Sequence, residues 1–152
     1  IKVYVYKVDD AQRRPRVIVS RTHLNLLRKL FEMEVPEIAQ GVVTIESVAR
    51  EPGQRAKIAV RTTDERVDPI GACIGPRGAR VQSIVEELYD EKIDVVPYSE
   101  DAKKYIVDAL SPAKVQTIRV VEEEKQAYVI VPDNQLSLAI GKGGQNVRLA
   151  AR

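Results

Sequence analysis

The amino-acid sequence predicts an α+β fold in which two similar modules follow one another along the chain. The pattern Ile-Gly-x-x-Gly-x-x-Val occurs at residues 74–81 and again at residues 140–147, so equivalent positions lie 66 residues apart. A pair of segments rich in β-branched residues precedes each copy, which predicts a β-hairpin. Apolar residues at helical spacing follow each copy. The pattern and its surroundings repeat together, which predicts two tandem modules.

The segments IKVYVYKV and RVIVS, on either side of a polar loop, predict a two-stranded hairpin over residues 1–20. Two strands alone are only marginally stable, so we expect this hairpin to pack on its neighbours or on parts of a truncated domain. Residues 21–34 predict a linker helix whose apolar face packs between the hairpin and the first module. That face carries Leu24, Leu27, Leu30 and Phe31.

The first module is predicted over residues 35–98. Its two β-rich segments are VVTIESVAR (42–50) and AKIAV (56–60), and an aspartate followed by proline begins the short helix before the glycines. Helical spacing continues after the glycines, and KIDVV (92–96) predicts a third strand. The expected order is therefore two strands, helix, glycine turn, helix and strand.

The second module is predicted over residues 99–152 and repeats this order. A helix opens it, and two β-rich segments follow at residues 115–121 and 126–131. The chain reaches Arg152 before any counterpart of the strand at residues 92–96. We therefore expect the second module to be truncated at its C-terminal end. The short junction between the modules, without a flexible linker, predicts one rigid pair.

The glycine turns have the properties of a phosphate-binding site. Glycine lacks a Cβ atom, so an extended nucleic-acid backbone can approach the main chain and its N–H groups. Each turn opens a helix, whose N-terminal amides favour anions. Basic residues lie in or just after the turns, which predicts that binding weakens with salt. These residues are Arg77, Arg80, Lys142 and Arg148.

Composition limits the other classes of function. The 24 Lys and Arg residues against 22 Asp and Glu residues give a net charge of only +2, so overall charge does not by itself indicate a nucleic-acid partner. The single cysteine, Cys73, is expected to be a buried apolar residue, and His23 has no second ligand at metal-binding spacing. No apolar run is long enough to span a membrane. We expect a cytoplasmic protein with no cofactor and no metal site.

An enzyme that binds a nucleotide is the main competing class, but the glycine turns do not fit its motifs. A P-loop requires four residues between its glycines and a Lys-Ser or Lys-Thr afterwards, whereas Lys142 is followed by Gly143. The dinucleotide pattern fails because Asn146 occupies the position of its third glycine. The carboxylates form no convincing catalytic pair. We therefore predict that the chain has no catalytic residues.

The order of helix, two strands, helix, Gly-x-x-Gly, helix and strand resembles the type II, or prokaryotic, KH domain. Several stretches also resemble the NusA family of bacterial transcription factors, and together they span nearly the whole chain. They are SRTH, KLFEMEVPEI, VAREPG, VDPIGACIG, ALSPAKV and VPDNQLSLAIGKGGQNVRLAAR. The resemblance implies that residues 1–20 are the last strands of a truncated OB-type RNA-binding barrel.

The resemblance also implies a partner and a setting. The partners would be single-stranded nascent RNA, with RNA polymerase and other antitermination factors, and the activity would be modulation of pausing, termination and antitermination. Each KH domain would bind about four unpaired nucleotides, and the pair roughly eight to eleven. We expect a monomer. Two alternatives stay open: a protein-interaction scaffold with KH folds, and the KH region of an RNA-processing or RNA-degrading enzyme.

The residues expected to contact RNA are the two turns with their flanks and two basic residues on a strand. Pro76 has no N–H group, so its turn offers one donor fewer than the second turn. The predicted contacts are Ile74, Gly75, Pro76, Arg77, Gly78, Ala79, Arg80, Lys57, Arg61, Ile140, Gly141, Lys142, Gly143, Gly144, Gln145, Asn146 and Arg148.

Overall fold

A two-stranded hairpin opens the chain in the computed structural model, which describes residues 1–11 and 13–152. Strands β1 (Tyr4–Asp9) and β2 (Arg16–Ser20) pair antiparallel. The predicted hairpin is therefore confirmed, although its loop includes residue 12, which lies outside the described residues. The assignment of this hairpin to an OB-type barrel stays a prediction. Most of its apolar side chains are exposed: Val3, Val5, Tyr6, Val8, Val17, Ile18 and Val19.

Helix α1 (Leu24–Glu34) follows the hairpin and packs into the core of the first module. His23 caps it, because its Nδ1 accepts a hydrogen bond from the Asn25 amide at 3.0 Å. The His23 ring also stacks on Tyr4, with 4.7 Å between ring centroids. Leu24 lies outside the apolar stripe and is exposed, contrary to the prediction, because it occupies the first turn beside the cap. The buried stripe consists of Leu26, Leu27, Leu30 and Phe31.

The first module is a three-stranded sheet covered by helices on one face. Short helix α2 (Pro36–Ala39) leads into the sheet. Its strands lie in the order β3-β4-β5, with β3 and β4 antiparallel and β4 and β5 parallel. The elements are β3 (Val43–Glu51), β4 (Arg55–Thr62), α3 (Pro69–Ile74), α4 (Ala79–Glu87) and β5 (Lys92–Pro97).

Alternation along β4 places its side chains on two different surfaces. Ala56, Ile58 and Val60 belong to the core beneath the helices. Lys57 and Ala59 are also buried, although they point to the opposite face of the sheet. The second module covers that opposite face, so β4 is buried on both sides.

The second module repeats this order with a two-stranded sheet. Helix α5 begins it, β6 and β7 pair antiparallel, and α6 and α7 flank the second glycine turn. Its buried apolar residues are few, so it depends on contact with the first module. The elements are α5 (Ala102–Ala109), β6 (Thr117–Val121), β7 (Gln126–Ile130), α6 (Leu136–Ile140) and α7 (Gln145–Ala150).

A buried ion pair of the first module binds the segment between the hairpin and α1. The Arg50 guanidinium donates to both carboxylate oxygens of Glu91 at 2.9 and 3.0 Å. It also donates to the backbone carbonyls of Arg21 and His23 at 3.0 Å each. The Gly53 amide donates to Glu91 at 2.7 Å. These hydrogen bonds offset the free-energy cost of burying both charges, and they hold the backbone before α1 in place.

No helix in the described part of the chain has the length and apolar character needed to cross a membrane.

Candidate nucleic-acid interface

The two glycine turns have the same backbone conformation. Gly75 and Gly141 have φ and ψ of 75° and 174°, and of 77° and 170°. The third residue of each turn has positive φ, at 54° and ψ 28° for Arg77 and at 59° and 24° for Gly143. The last glycine has a φ of 75° in the first turn and of 76° in the second. Two different sequences, GPRG and GKGG, thus form one loop structure, called here the first and the second glycine loop.

The first glycine of each loop has to be glycine. Its φ and ψ lie in a region that side chains essentially never adopt. A Cβ atom on Gly75 would lie 2.6 Å from Cγ of Arg80, and one on Gly141 would lie 2.7 Å from the backbone nitrogen of Asn146. The loop backbone therefore packs directly against the helix that follows it. This packing leaves the opposite side of the loop facing solvent.

Backbone amides in both loops are available to a ligand. Within residues 1–11 and 13–152, no protein group accepts a hydrogen bond from the amides of Arg77, Lys142 or Gly143. Pro76 contributes no amide. The first loop therefore presents one free N–H group and the second presents two, next to the N-termini of α4 and α7.

Exposed cationic side chains accompany these amides. Arg77 and Lys142 are both exposed at the outer edge of their loops. Arg77 holds a left-handed conformation that a non-glycine residue adopts only at an energetic cost. Both side chains are therefore exposed beside the free amides, and their contact with a phosphate stays a prediction.

Arg80 and Asn146 support the loops from behind instead. They occupy equivalent positions, 66 residues apart. Arg80 donates to the Ala72 carbonyl at 2.7 Å and to Glu37 at 2.9 Å. Asn146 is fully buried and donates to the carbonyls of Ala139 and Leu110 at 3.0 Å each. The expectation that the Asn146 side chain faces RNA is wrong in this structure, because it is buried between α6 and the C-terminal end of α5.

Lys57 does not line an open groove, and this sequence prediction also needs correction. Only 4% of Lys57 is exposed, and its Nζ donates to Asp94 at 2.8 Å and to the Ser111 carbonyl at 2.9 Å. Burial lowers the pKa of Lys57, while the bond to Asp94 opposes that shift. The second module covers this face of the sheet. Lys57 therefore joins the modules.

Arg61, the other strand residue, is half-exposed but already paired. Its Nε lies 2.6 Å from a Glu46 carboxylate oxygen, and its guanidinium stacks over the Tyr98 ring at 5.2 Å. Glu100 contributes a longer ion pair at 3.8 Å. The positive charge of Arg61 is thus offset by two carboxylates, which makes it a weaker candidate for RNA than Arg77.

Gln145 and Arg148 follow the second loop and contact the first module. Gln145 Nε2 donates to Glu51 and to Gln54, at 3.0 Å each. Arg148 Nε donates to the other Glu51 oxygen, and its Nη1 donates to the Gly143 carbonyl at 3.0 Å. Sequence reasoning assigned both residues to RNA and gave Glu51 no role. Nothing in the periodicity indicated this contact between modules.

Apolar side chains flank the loops on the side that could receive bases. Ile140 and Val147 are each 44% exposed, although they lie at core-like positions of the repeated pattern. Their counterparts Ile74 and Val81 are half-buried. Ala79 is exposed beside the first loop. The second module also exposes Leu136 and Leu138, which are not among the contacts predicted from the sequence.

Cys73 lies behind the first loop and is fully buried. Desolvation raises the pKa of its thiol to about 12, which keeps it protonated at neutral pH. In the described residues, no group of His, Cys, Asp and Glu side chains could hold a metal ion.

Comparison with known proteins identifies both modules. Residues 21–98 match the family model of the NusA-like first KH domain, and residues 102–152 match that of the NusA-like second KH domain. The first match includes helix α1, which the sequence prediction had separated as a linker. The prediction of two tandem KH domains in an α+β chain is confirmed.

Curated relatives match the chain over its whole length. The transcription termination/antitermination protein NusA of Bacillus subtilis is 59% identical over 152 residues, and the chain covers 41% of it. The NusA proteins of Halalkalibacterium halodurans and Thermus thermophilus are 58% and 53% identical, and the chain covers 40% and 39% of them. The chain thus spans about two fifths of these relatives.

A solved structure has a similar fold over most of the chain. The crystal structure of APE1850 superposes with a TM-score of 0.55 at 25% identity, covering 82% of this chain and 85% of that one. This likeness supports the tandem arrangement seen here. With two NusA-like KH domains and full-length similarity to NusA proteins of several bacteria, the chain belongs to the NusA family.

Proposed function

We propose that the two glycine loops bind the sugar-phosphate backbone of one single-stranded RNA. The observation that carries this proposal is the shared backbone geometry of the loops. Both hold the same left-handed turn, although their sequences differ, and both leave amides free beside a helix N-terminus. A loop that only reverses the chain direction has no need of an open donor and an exposed cation in both copies.

The contacts on each loop define how RNA would be held. Phosphates would accept hydrogen bonds from the amide of Arg77 in the first loop and from those of Lys142 and Gly143 in the second. The side chains of Arg77 and Lys142 would add ion pairs. Unpaired bases would rest on the apolar surface of Ile140 and Val147 and on its equivalent in the first module. Duplex RNA keeps its bases stacked and paired, so it would lose this second set of contacts.

The names of the relatives supply the biological setting. Because those proteins are transcription termination/antitermination factors, we infer that this RNA is a nascent transcript. The chain would then act with RNA polymerase and other antitermination factors, as a monomer in the bacterial cytoplasm, and would modulate pausing and termination. No residue of the chain is assigned a catalytic step. A scaffold that uses the KH fold to bind protein alone would have no use for free amides in both loops.

Fluorescence anisotropy with a labelled, unstructured RNA of about a dozen nucleotides tests this function. The wild-type chain is compared with P76D/R77D and K142D/G143D at two salt concentrations. Arg77 already adopts positive φ at the position equivalent to Gly143, and a Cβ atom on Gly143 meets no atom within 4 Å. Both double variants are therefore expected to fold, which circular dichroism verifies.

The expected result is salt-sensitive binding to single-stranded RNA that each double variant weakens and that their combination abolishes. A matched duplex should bind less tightly. Binding that is equal for the duplex, or unaffected by the combined variant, would show that the loops are not the RNA site. In that case a protein-interaction role would become the better interpretation.

A further inference from the structure

Glu51 connects the first module to the second glycine loop. It ends strand β3, and its side chain is only 14% exposed. One carboxylate oxygen accepts from Arg148 Nε and the other from Gln145 Nε2. These hydrogen bonds lower the pKa of Glu51 to about 2, with Arg148 as the largest cause. The carboxylate is therefore ionised and doubly bonded at neutral pH.

Arg148 continues this connection into the loop itself. While its Nε donates to Glu51, its Nη1 donates to the Gly143 carbonyl at 3.0 Å. Gly143 has positive φ and precedes the last glycine of the loop. The guanidinium thus joins a carboxylate of the first module to the peptide group that orients the second loop. Both ends of the connection are charge-assisted hydrogen bonds.

The first glycine loop has no equivalent of this connection. The positions that correspond to Gln145 and Arg148, 66 residues earlier, are Ala79 and Gln82. Gln82 contacts only its neighbour Glu86 in the same helix, at 3.4 Å, among the side-chain hydrogen bonds of the described residues. The second loop is therefore supported from outside its module, whereas the first is not.

We propose that Glu51 is a positioning residue for the second RNA-binding loop, which it orients through Arg148 and the Gly143 carbonyl. The inference rests on the proposed function, because the loop it positions is the proposed phosphate site. The phosphate site of the second loop is then composite, because Glu51 of the first module completes it. Gln145 and Arg148 then bind Glu51 and do not contact RNA directly. Lys142 remains the principal cation of this loop.

Electrostatics and positioning predict opposite effects for one substitution. E51Q removes a negative charge near the proposed phosphate site, so charge alone would strengthen RNA binding. Loss of positioning would weaken it, because the amides of Lys142 and Gly143 would no longer point at one phosphate. R148K provides an independent comparison: it keeps the charge, but an ammonium group cannot reach both Glu51 and the Gly143 carbonyl as the planar guanidinium does.

The experiment measures the affinity of the 152-residue chain for the dozen-nucleotide RNA, together with amide hydrogen exchange of both loops. The matched control is E32Q, which makes the same charge change at an exposed ion pair within α1. We expect E51Q and R148K each to weaken binding about tenfold, the effect of losing one charge-assisted hydrogen bond. Exchange should accelerate at the hydrogen-bonded amides of the first and last glycines of the second loop, and not at those of the first loop. E32Q should change affinity by less than about twofold.

Two results would overturn the inference while leaving the function intact. The first is that the wild-type chain binds RNA and E51Q binds it equally well or more tightly. Glu51 would then only repel the RNA by its charge. The second is weaker binding without faster exchange in the second loop, which would mean that Glu51 does not act through its geometry. A wild-type chain that binds no RNA would instead remove the proposed function, and with it the role of the loop that Glu51 supports.

Discussion

The first glycine of the second loop offers a stringent test of the loop geometry. Gly141 has φ 77° and ψ 170°, and it packs against the start of α7. The last glycine, Gly144, also has positive φ, at 76°, but a Cβ atom there would lie 3.7 Å from Arg148, which is ordinary contact. Substituting each glycine by alanine separates conformational strain from crowding within one loop.

G141A should reduce the stability of the chain more than G144A. G144A incurs only the left-handed conformation of a residue with a Cβ atom, about 1–2 kcal/mol. G141A enters a region reserved for glycine, which costs about 1–3 kcal/mol. Its Cβ would also lie 2.7 Å from the backbone nitrogen of Asn146. Because that atom cannot rotate away, crowding adds about 1–3 kcal/mol, and the total is about 2–6 kcal/mol.

Urea titrations followed by circular dichroism give the free energy of unfolding of both variants. G141A should be the less stable variant by at least about 1 kcal/mol, with a matching loss of RNA affinity. If G141A and G144A lost equal stability, the close packing between the loop and α7 would not exist as described. The geometric basis of the phosphate site would then be refuted.

Three other outcomes are expected. E91Q leaves the buried Arg50 charge unpaired and should destabilise the chain by about 3–5 kcal/mol in urea titrations, whereas E87Q, at a partly exposed pair, should cost less than about 1 kcal/mol. Because the pKa of Glu51 is lowered from 4.5 to about 2, the stability difference between wild type and E51Q should stay constant from pH 7 to about 5 and vanish as pH falls through 2. K142A should reduce the slope of log affinity against log salt by about 0.7, in anisotropy titrations.

The repeat made much of the fold predictable. Two copies of one glycine pattern, each between a hairpin and a helix, indicated the module order and the loop positions. The local chemistry of the loops was also predictable, because glycine with positive φ and an adjacent helix N-terminus depend on nearby sequence. Arg77 and Lys142 are exposed where the pattern placed them. The split between linker helix and first module was not predictable, because α1 is amphipathic whichever neighbour it packs on.

Contacts between the modules account for most of the errors at the site. Lys57 alternates with apolar residues, which is typical of a solvated strand face, yet the second module covers that face. Asn146 follows a glycine loop, which suggested a phosphate contact, yet it is buried and bonds to carbonyls of its own module. Arg148 follows the same loop, yet it pairs with Glu51, 97 residues away along the chain. Periodicity within a module carries no information about such distant partners.

The central claim is that free amides of both loops bind the phosphates of one RNA strand. The most direct test is an NMR titration of the isotope-labelled chain with unstructured RNA of about a dozen nucleotides. The amide signals of Arg77, Lys142 and Gly143 should shift most and saturate together at one RNA per chain. Shifts confined to other surfaces, or to one loop with the second unchanged at saturation, would contradict the claim.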